Sequence, residues 1–293
     1  MTDTCITYVF EWGRTRAASS PRAGAAVLRI LGWSLLLVVM TTTPTVAQLM
    51  TPAPADWGGS STAMEATEGA EATEASLAHV VDGATTLYNR SDSTAPVGSL
   101  PVRTPVRRLD CEDAWCRVRT DSGRTGYVPQ SRVSNVWIRV SKAERRVYLY
   151  RGPKLVDVFR ADVGYNTFAD KKRRGSASRR DHWRTPEGVF YVVSKRPRSD
   201  FYKAFVLNYP TIRDAERGLE QNLISRHQYR SIVRAQKQRR MPPMNTPLGG
   251  WIEIHGNGTG SSTNWTQGCV AVQNQVMNEL WVDVEVGTPV LVE

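Results

Sequence analysis

From His79 to about Asn135, Gly, Pro, Asp and Ser cut the chain into short alternating segments, and this pattern most narrows the fold. Thr85-Thr86-Leu87-Tyr88 and Trp115-Cys116-Arg117-Val118-Arg119-Thr120 are two such segments; a Ser122-Gly123 turn follows, then Gly126-Tyr127-Val128. Alternation with a period of two gives a strand one buried and one solvated face. Turn signals this dense predict a small all-β barrel over residues 79–135.

Residues 136–293 are again strand-rich. Val136–Val140, Val147–Tyr150, Leu155–Val163, Val189–Val193, Phe205–Tyr209, Trp251–His255, Val270–Val272 and Pro289–Val292 are candidate strands. Two helices are expected among them. One runs from about Glu216 to Arg239, with Leu219, Leu223, Ile224, Ile232 and Val233 near helical spacing, and Pro242 and Pro243 stop it. The other follows Asn274 as N-cap, with Met277, Leu280, Trp281 and Val284 on its inner face. The expected architecture is mainly β: a small barrel, then a larger β domain with two helical additions.

The N-terminus indicates where the protein works. Arg14, Arg16, Arg22 and Arg29 precede the apolar run Ile30 to Met40, and Thr45-Val46-Ala47 is a small-x-small exit. A basic region, a short apolar run and a small-residue exit describe a secretory leader over residues 1–47. The run is shorter than the roughly 20 apolar residues of a spanning helix. Any membrane association would come through an uncleaved leader acting as an anchor. Residues 48–78, rich in Ala, Thr, Ser, Pro and Glu, hold too few large apolar groups to offset their ordering entropy and read as a flexible tether. The expected location is the periplasm or cell envelope.

Export sharpens the reading of the cysteines. Cys111 and Cys116 are close enough for a local disulfide, or are two small buried hydrophobes. With Cys5 in the leader, Cys269 is left over, and an odd thiol in an oxidising compartment is a liability unless its chemistry is used. The net charge of +10 invites a nucleic-acid reading, but the leader and the lack of a recognition motif oppose it.

Two segments carry chemistry: Ile254-His255-Gly256 and Thr266-Gln267-Gly268-Cys269-Val270. Acyl transfer at a cysteine needs a thiolate, a base, and donors where negative charge develops. His255 at a strand end is the candidate base, and Gly256 lets the chain turn beside it. Gly268 before Cys269 permits close approach, and the backbone N–H groups of both residues are the candidate oxyanion donors. The remaining histidines and cysteines lack zinc spacing, so no metal is expected. Glu253 could orient His255, although a solvated strand residue is the simpler reading.

In combination these residues identify a family. His-Gly, a loop rich in Gly, Ser and Asn, then Thr-x-Gly-Cys-Val strongly resembles the active-site signature of L,D-transpeptidases. Upstream, Thr185-Pro186-Glu187-Gly188-Val189-Phe190, Asn208-Tyr209-Pro210 with Asp214, and Asn245-Thr246-Pro247-Leu248-Gly249-Gly250 match further blocks in family order. The Trp-x-x-Val…Gly-x-x-Gly-Tyr-Val pattern of the barrel resembles bacterial SH3-like domains.

The resemblance implies an L,D-transpeptidase-type β-sandwich in which Cys269 is the nucleophile, His255 the base and the Gly256 carbonyl its orienting group. Thr266 matches the Ser/Thr three positions before the cysteine and is expected at the substrate. It implies no cofactor, peptidoglycan stem peptides as substrate, and a stem amine or a wall-attached protein as acceptor. One departure is Ala271, where many members carry arginine. Substrate carboxylate recognition must then come from elsewhere, and Arg184, nearest the Thr-Pro motif, is the candidate. The basic runs around it, Lys171 to Arg180, are expected to be solvated. Resolution of the acyl-enzyme by water, and a wall-binding protein without catalysis, are the competing readings.

Overall fold

The computed structural model describes residues 76–293, so the leader and all but the last three residues of the tether lie outside the described residues. The first domain is an antiparallel seven-stranded sheet of β1 (Ser76–Val80), β2 (Thr85–Tyr88), β3 (Pro96–Leu100), β4 (Pro105–Glu112), β5 (Trp115–Thr120), β6 (Thr125–Pro129) and β7 (Val133–Ser134). Their spatial order is β3-β2-β6-β5-β4-β1-β7. In β5, Cys116, Val118 and Thr120 point inward while Arg117 and Arg119 point out, so the alternation does what a period of two requires. Val80, Leu87, Val106 and Val128 complete the core.

The barrel begins earlier than expected. Ser76, Leu77 and Ala78 pair with Arg108, Arg107 and Val106, and Ala78 is buried. The small residues of the tether hid this strand. Cys111 and Cys116 are register partners on β4 and β5 and are joined by a disulfide.

The second domain contains β8 (Val136–Ser141), β9 (Arg146–Arg151), β10 (Lys154–Arg160), β11 (Val163–Gly164), β12 (Gly188–Ser199), β13 (Tyr202–Leu207), β14 (Glu253–His255), β15 (Asn264–Thr266), β16 (Val270–Ala271) and β17 (Pro289–Val292). The order is β10-β9-β8-β17-β12-β13-β14-β16, with β11 and β15 as a separate parallel pair. Strand β12 serves two neighbours. Gly188–Tyr191 pair with β17, and beyond a register shift at Val192 the strand pairs with β13. A strand that changes partners at a bulge turns one sheet into two facing layers. Ile138, Val147, Phe190 and Val290 from one layer meet Phe205, Leu207, Ile254 and Val270 from the other in one core.

Three helices, not two, accompany these strands among the described residues: α1 (Ile212–Glu220), α2 (Arg226–Lys237) and α3 (Asn274–Asp283). The single helix expected over 216–239 is broken at 221–225. There Asn222 adopts φ 54° and Ser225 opens α2 with a capping box to Gln228. Leu219, Leu223 and Ile232 all reach one satellite cluster with Leu248, which is why their spacing mimicked a continuous helix. The Ser-x-x-Gln signature was the overlooked break. In α3 the N-cap position falls on Gln273, which makes no side-chain cap, so Asn274 is not the cap. No helix among the described residues is long and apolar enough to cross a membrane.

Helix α3 lays Met277 and Leu280, both fully buried, onto the sandwich core. Leu280→Ala removes buried methyl groups and leaves a cavity, and is expected to lower the unfolding free energy by about 2–5 kcal/mol. A urea melt of the purified chain measures it.

Candidate active site

Strand β14 ends at His255, and β16 begins one residue after Cys269. The two strands pair in parallel, Ile254 beside Val270 and His255 beside Ala271. Residues two apart share a face, so Cys269 and His255 lie on the same side of the sheet edge. The Val272 N–H donates to the His255 carbonyl at 2.8 Å and continues this pairing. Both side chains are almost wholly buried.

The His255 ring is held on two sides. Its Nδ1 lies 2.7 Å from the Gly256 carbonyl oxygen, and Phe201 stacks on it at 4.3 Å. A carbonyl only accepts, so Nδ1 carries the proton and Nε2 keeps its lone pair. Burial lowers the His255 pKa to about 4, against the opposing pulls of the Gly256 carbonyl and Asp162. At neutral pH the imidazole is therefore an unprotonated base. Gly256 is required for its lack of a side chain: a Cβ would lie 2.4 Å from Asn274 Oδ1 and 2.8 Å from the Phe201 carbonyl. That same Asn274 oxygen accepts the Asn257 N–H at 2.7 Å, tying α3 to the loop leaving His255.

Cys269 remains a thiol, and its Sγ donates to the Trp251 carbonyl at 3.4 Å. The turn before it is tight. Gly268 has φ 135°, and a Cβ there would lie 2.5 Å from the Arg184 carbonyl. Thr266 is buried inside this turn. Its hydroxyl donates to the Cys269 carbonyl at 2.6 Å and accepts the Gly268 N–H at 3.2 Å. The Thr266 side chain is thus spent on the turn before Cys269, and the Gly268 N–H expected at an oxyanion donates to the Thr266 hydroxyl.

Sequence reasoning missed Asp162. Its fully buried carboxylate accepts from the Thr259 N–H (2.6 Å) and hydroxyl (2.8 Å), the Thr263 N–H (2.8 Å) and hydroxyl (3.0 Å), and Trp265 Nε1 (3.0 Å). Its backbone exchanges hydrogen bonds of 2.8 Å with Ala271. Burial works against the charge, but the Trp265, Thr259 and Thr263 donors outweigh it and hold the pKa below the ordinary carboxylate value. One side chain thus gathers the loop joining His255 to Cys269. Asp162 left little trace in the sequence, because the candidate strand Leu155–Val163 also carries Asp157 and Arg160.

Lys171 and Glu253 also depart from expectation. Lys171 is buried, and its Nζ donates to the Gln267 carbonyl at 3.0 Å, placing an amino group beside the cysteine turn. Glu253 is buried and paired with Arg196 at 3.0 Å, so it is not a solvated strand residue. Arg184 contributes its backbone to the turn, while its Nε donates to the Asp181 carbonyl at 2.6 Å. Its Nη1 reaches the Asp170 carbonyl at 3.4 Å. Most of the remaining basic run, including Lys172, Arg179 and Arg180, is exposed. Among the described residues no group of three or more His, Cys, Asp and Glu side chains could hold a metal ion.

The depressed His255 pKa makes a statement about stability. In the unfolded chain the imidazole protonates below about 6.5, whereas folded His255 stays neutral down to about 4. Folding stability is therefore full above pH 6.5 and falls as pH drops toward 4. His79, lowered by burial to about 4, adds a slope of the same sign. Denaturant melts across pH 4–7 should show the loss. A His255→Gln variant should lose a share approaching about 3 kcal/mol of that dependence, leaving the part due to His79.

Comparison with known proteins gives the family. Residues 135–292 match the family model described as the L,D-transpeptidase catalytic domain, and residues 89–134 match the bacterial SH3 domain. A search of curated proteins finds no match. Among solved structures, an L,D-transpeptidase from Xylanimonas cellulosilytica is 18% identical over 55% of this chain and 61% of its own, with a TM-score of 0.33. The helical cell shape determining protein Pgp2 of Campylobacter jejuni is 21% identical over 55% and 48%, with a TM-score of 0.35. L,D-transpeptidase 1 of Mycobacterium tuberculosis is 13% identical over 57% and 77%, with a TM-score of 0.29. The chain thus spans about three-fifths of the Xylanimonas protein's length. The catalytic-domain match covers more than half of this sequence, and the chain belongs to the L,D-transpeptidase catalytic-domain family.

Proposed function

We propose that the protein is a peptidoglycan L,D-transpeptidase with Cys269 as nucleophile and His255 as base. The observation that carries this reading is the parallel β14–β16 pair, which sets Cys269 and a neutral, Nδ1-anchored His255 on one face. His255 Nε2 takes the thiol proton while Sγ bonds to the carbonyl carbon at the L-centre of the diamino acid in a tetrapeptide stem. The C–N bond to the terminal D-alanine breaks, and the imidazolium returns its proton to the departing amine. An acceptor amine then attacks the thioester, gives its proton to His255, and Sγ leaves as the thiolate that His255 reprotonates. The Cys269 N–H, in the turn shaped by Thr266, is the oxyanion donor in this scheme.

The Cys111–Cys116 disulfide supports an oxidising location, the periplasm or cell envelope, where such stems occur. Ala271 favours a second reading in which water resolves the thioester. It is buried in β16 and supplies no charge near the cysteine to hold a donor or acceptor carboxylate.

Mass spectrometry of muropeptides incubated with the purified protein, beside Cys269→Ala, separates these readings. New dimers or exchanged terminal D-amino acids with wild type alone are expected. Shortened stems without dimers assign the hydrolytic reaction, and no product with either protein leaves a wall-binding role. For Arg184, which borders the Gly268 turn, we propose recognition of the stem carboxylate through its guanidinium fork. Arg184→Ala should raise KM by about tenfold or more with kcat little changed; a lowered kcat at unchanged KM would instead assign it to holding the turn.

A further inference from the structure

A cavity of about 580 Å3 lies where the barrel meets the second domain, away from Cys269 and His255. Arg103 and Pro105 of the barrel line it, opposite Tyr191, Asn208, Arg217 and Arg239. Arg103 is only 9% exposed. Its guanidinium stacks on Tyr191 at 4.9 Å from the ring centre, and its buried Nε has no hydrogen-bond partner. The Nε of Arg217 is buried and unsatisfied as well.

The carboxylates on the wall are already engaged. Arg217 pairs with Asp170 at 3.0 Å and Asp214 at 2.6 Å, and Glu187 pairs with Lys142 at 2.6 Å. Among the described residues none pairs with Arg103 or Arg239. Arg239 instead spends Nη1 on the Val102 carbonyl at 2.6 Å and Thr104 Oγ1 at 2.8 Å, which brings its charge against the barrel. Burial, and secondarily the like charge of Arg239, lowers the Arg103 pKa to about 10, so Arg103 remains a cation at neutral pH. Two uncompensated guanidinium groups on one cavity, one of them with an unmet donor, are costly unless an anion answers them.

We infer that this cavity binds a small oxyanion, a carboxylate or phosphate group, between Arg103 and Arg239. A guanidinium offers paired N–H donors in a plane that match both groups, and the Tyr191 ring fixes the plane of Arg103. The ligand touches both domains and so couples their stability. The site does not depend on the Cys269 chemistry.

The test is calorimetric titration of the full chain carrying Cys269→Ala, which removes turnover, with inorganic phosphate and with a free tetrapeptide stem. Saturable binding that Arg103→Gln weakens at least tenfold is the expected result. Phosphate binding alone assigns a phosphate ligand; stem binding that phosphate displaces assigns the peptide carboxylate. No heat with either probe at about 10 mM, or equal affinity in a folded Arg103→Gln, overturns the inference. Should that variant fail to fold, the Arg103 Nε–H resonance of 15N-labelled protein decides: it shifts saturably with either probe or the site does not exist.

Discussion

The candidate active site depends on one buried carboxylate. Asp162 stands where β11 begins, and the residues it holds, Thr259, Thr263 and Trp265, belong to the loop from the end of β14 to β15. A charge in the protein interior is tolerated only when hydrogen bonds replace its hydration. Asp162 meets that demand by collecting five donors from one loop. The loop, rich in Gly, Ser and Asn, has little apolar surface with which to order itself. Its shape, and with it the approach to Cys269, is therefore set by electrostatics more than by packing.

The same exchange of hydration for fixed partners recurs around the site. Lys142 is buried against Glu187 and the Ala169 carbonyl, Lys171 against the Gln267 carbonyl, and Glu253 against Arg196. Such groups add little net stability over apolar replacements, but each tolerates few alternative arrangements. The turn 266–269 shows this in miniature. Thr266 uses its hydroxyl twice, Gly268 accepts a φ closed to other residues, and the thiol is left facing the Trp251 carbonyl. The excess of positive charge in the composition is thus partly architectural.

The strands were legible because each buries one face, and a period of two survives in any context. Val136–Val140 and Pro289–Val292 read correctly from alternation and run length alone. The helix over 216–239 misled because Leu219 of α1, Leu223 of the break and Ile232 of α2 meet one cluster, and spacing does not reveal a break that leaves the buried face intact. Ser76–Ala78 went unseen because small residues in a strand resemble a linker until a partner strand is known.

Cys269, His255 and Gly256 could be proposed from sequence because their chemistry and order along the chain are local properties. The mainly β architecture was equally inherent in the sequence, since it follows from patterning that any solvent-exposed sheet must obey. Tertiary structure alone decided that Asp162, some ninety residues before His255 in the chain, gathers the loop joining His255 to Cys269. It also decided that Glu253 pairs with Arg196 and that Thr266 turns inward. A hydrogen bond or ion pair between distant residues leaves no periodic trace in the sequence. The burial that makes it necessary exists only once the sheets have closed.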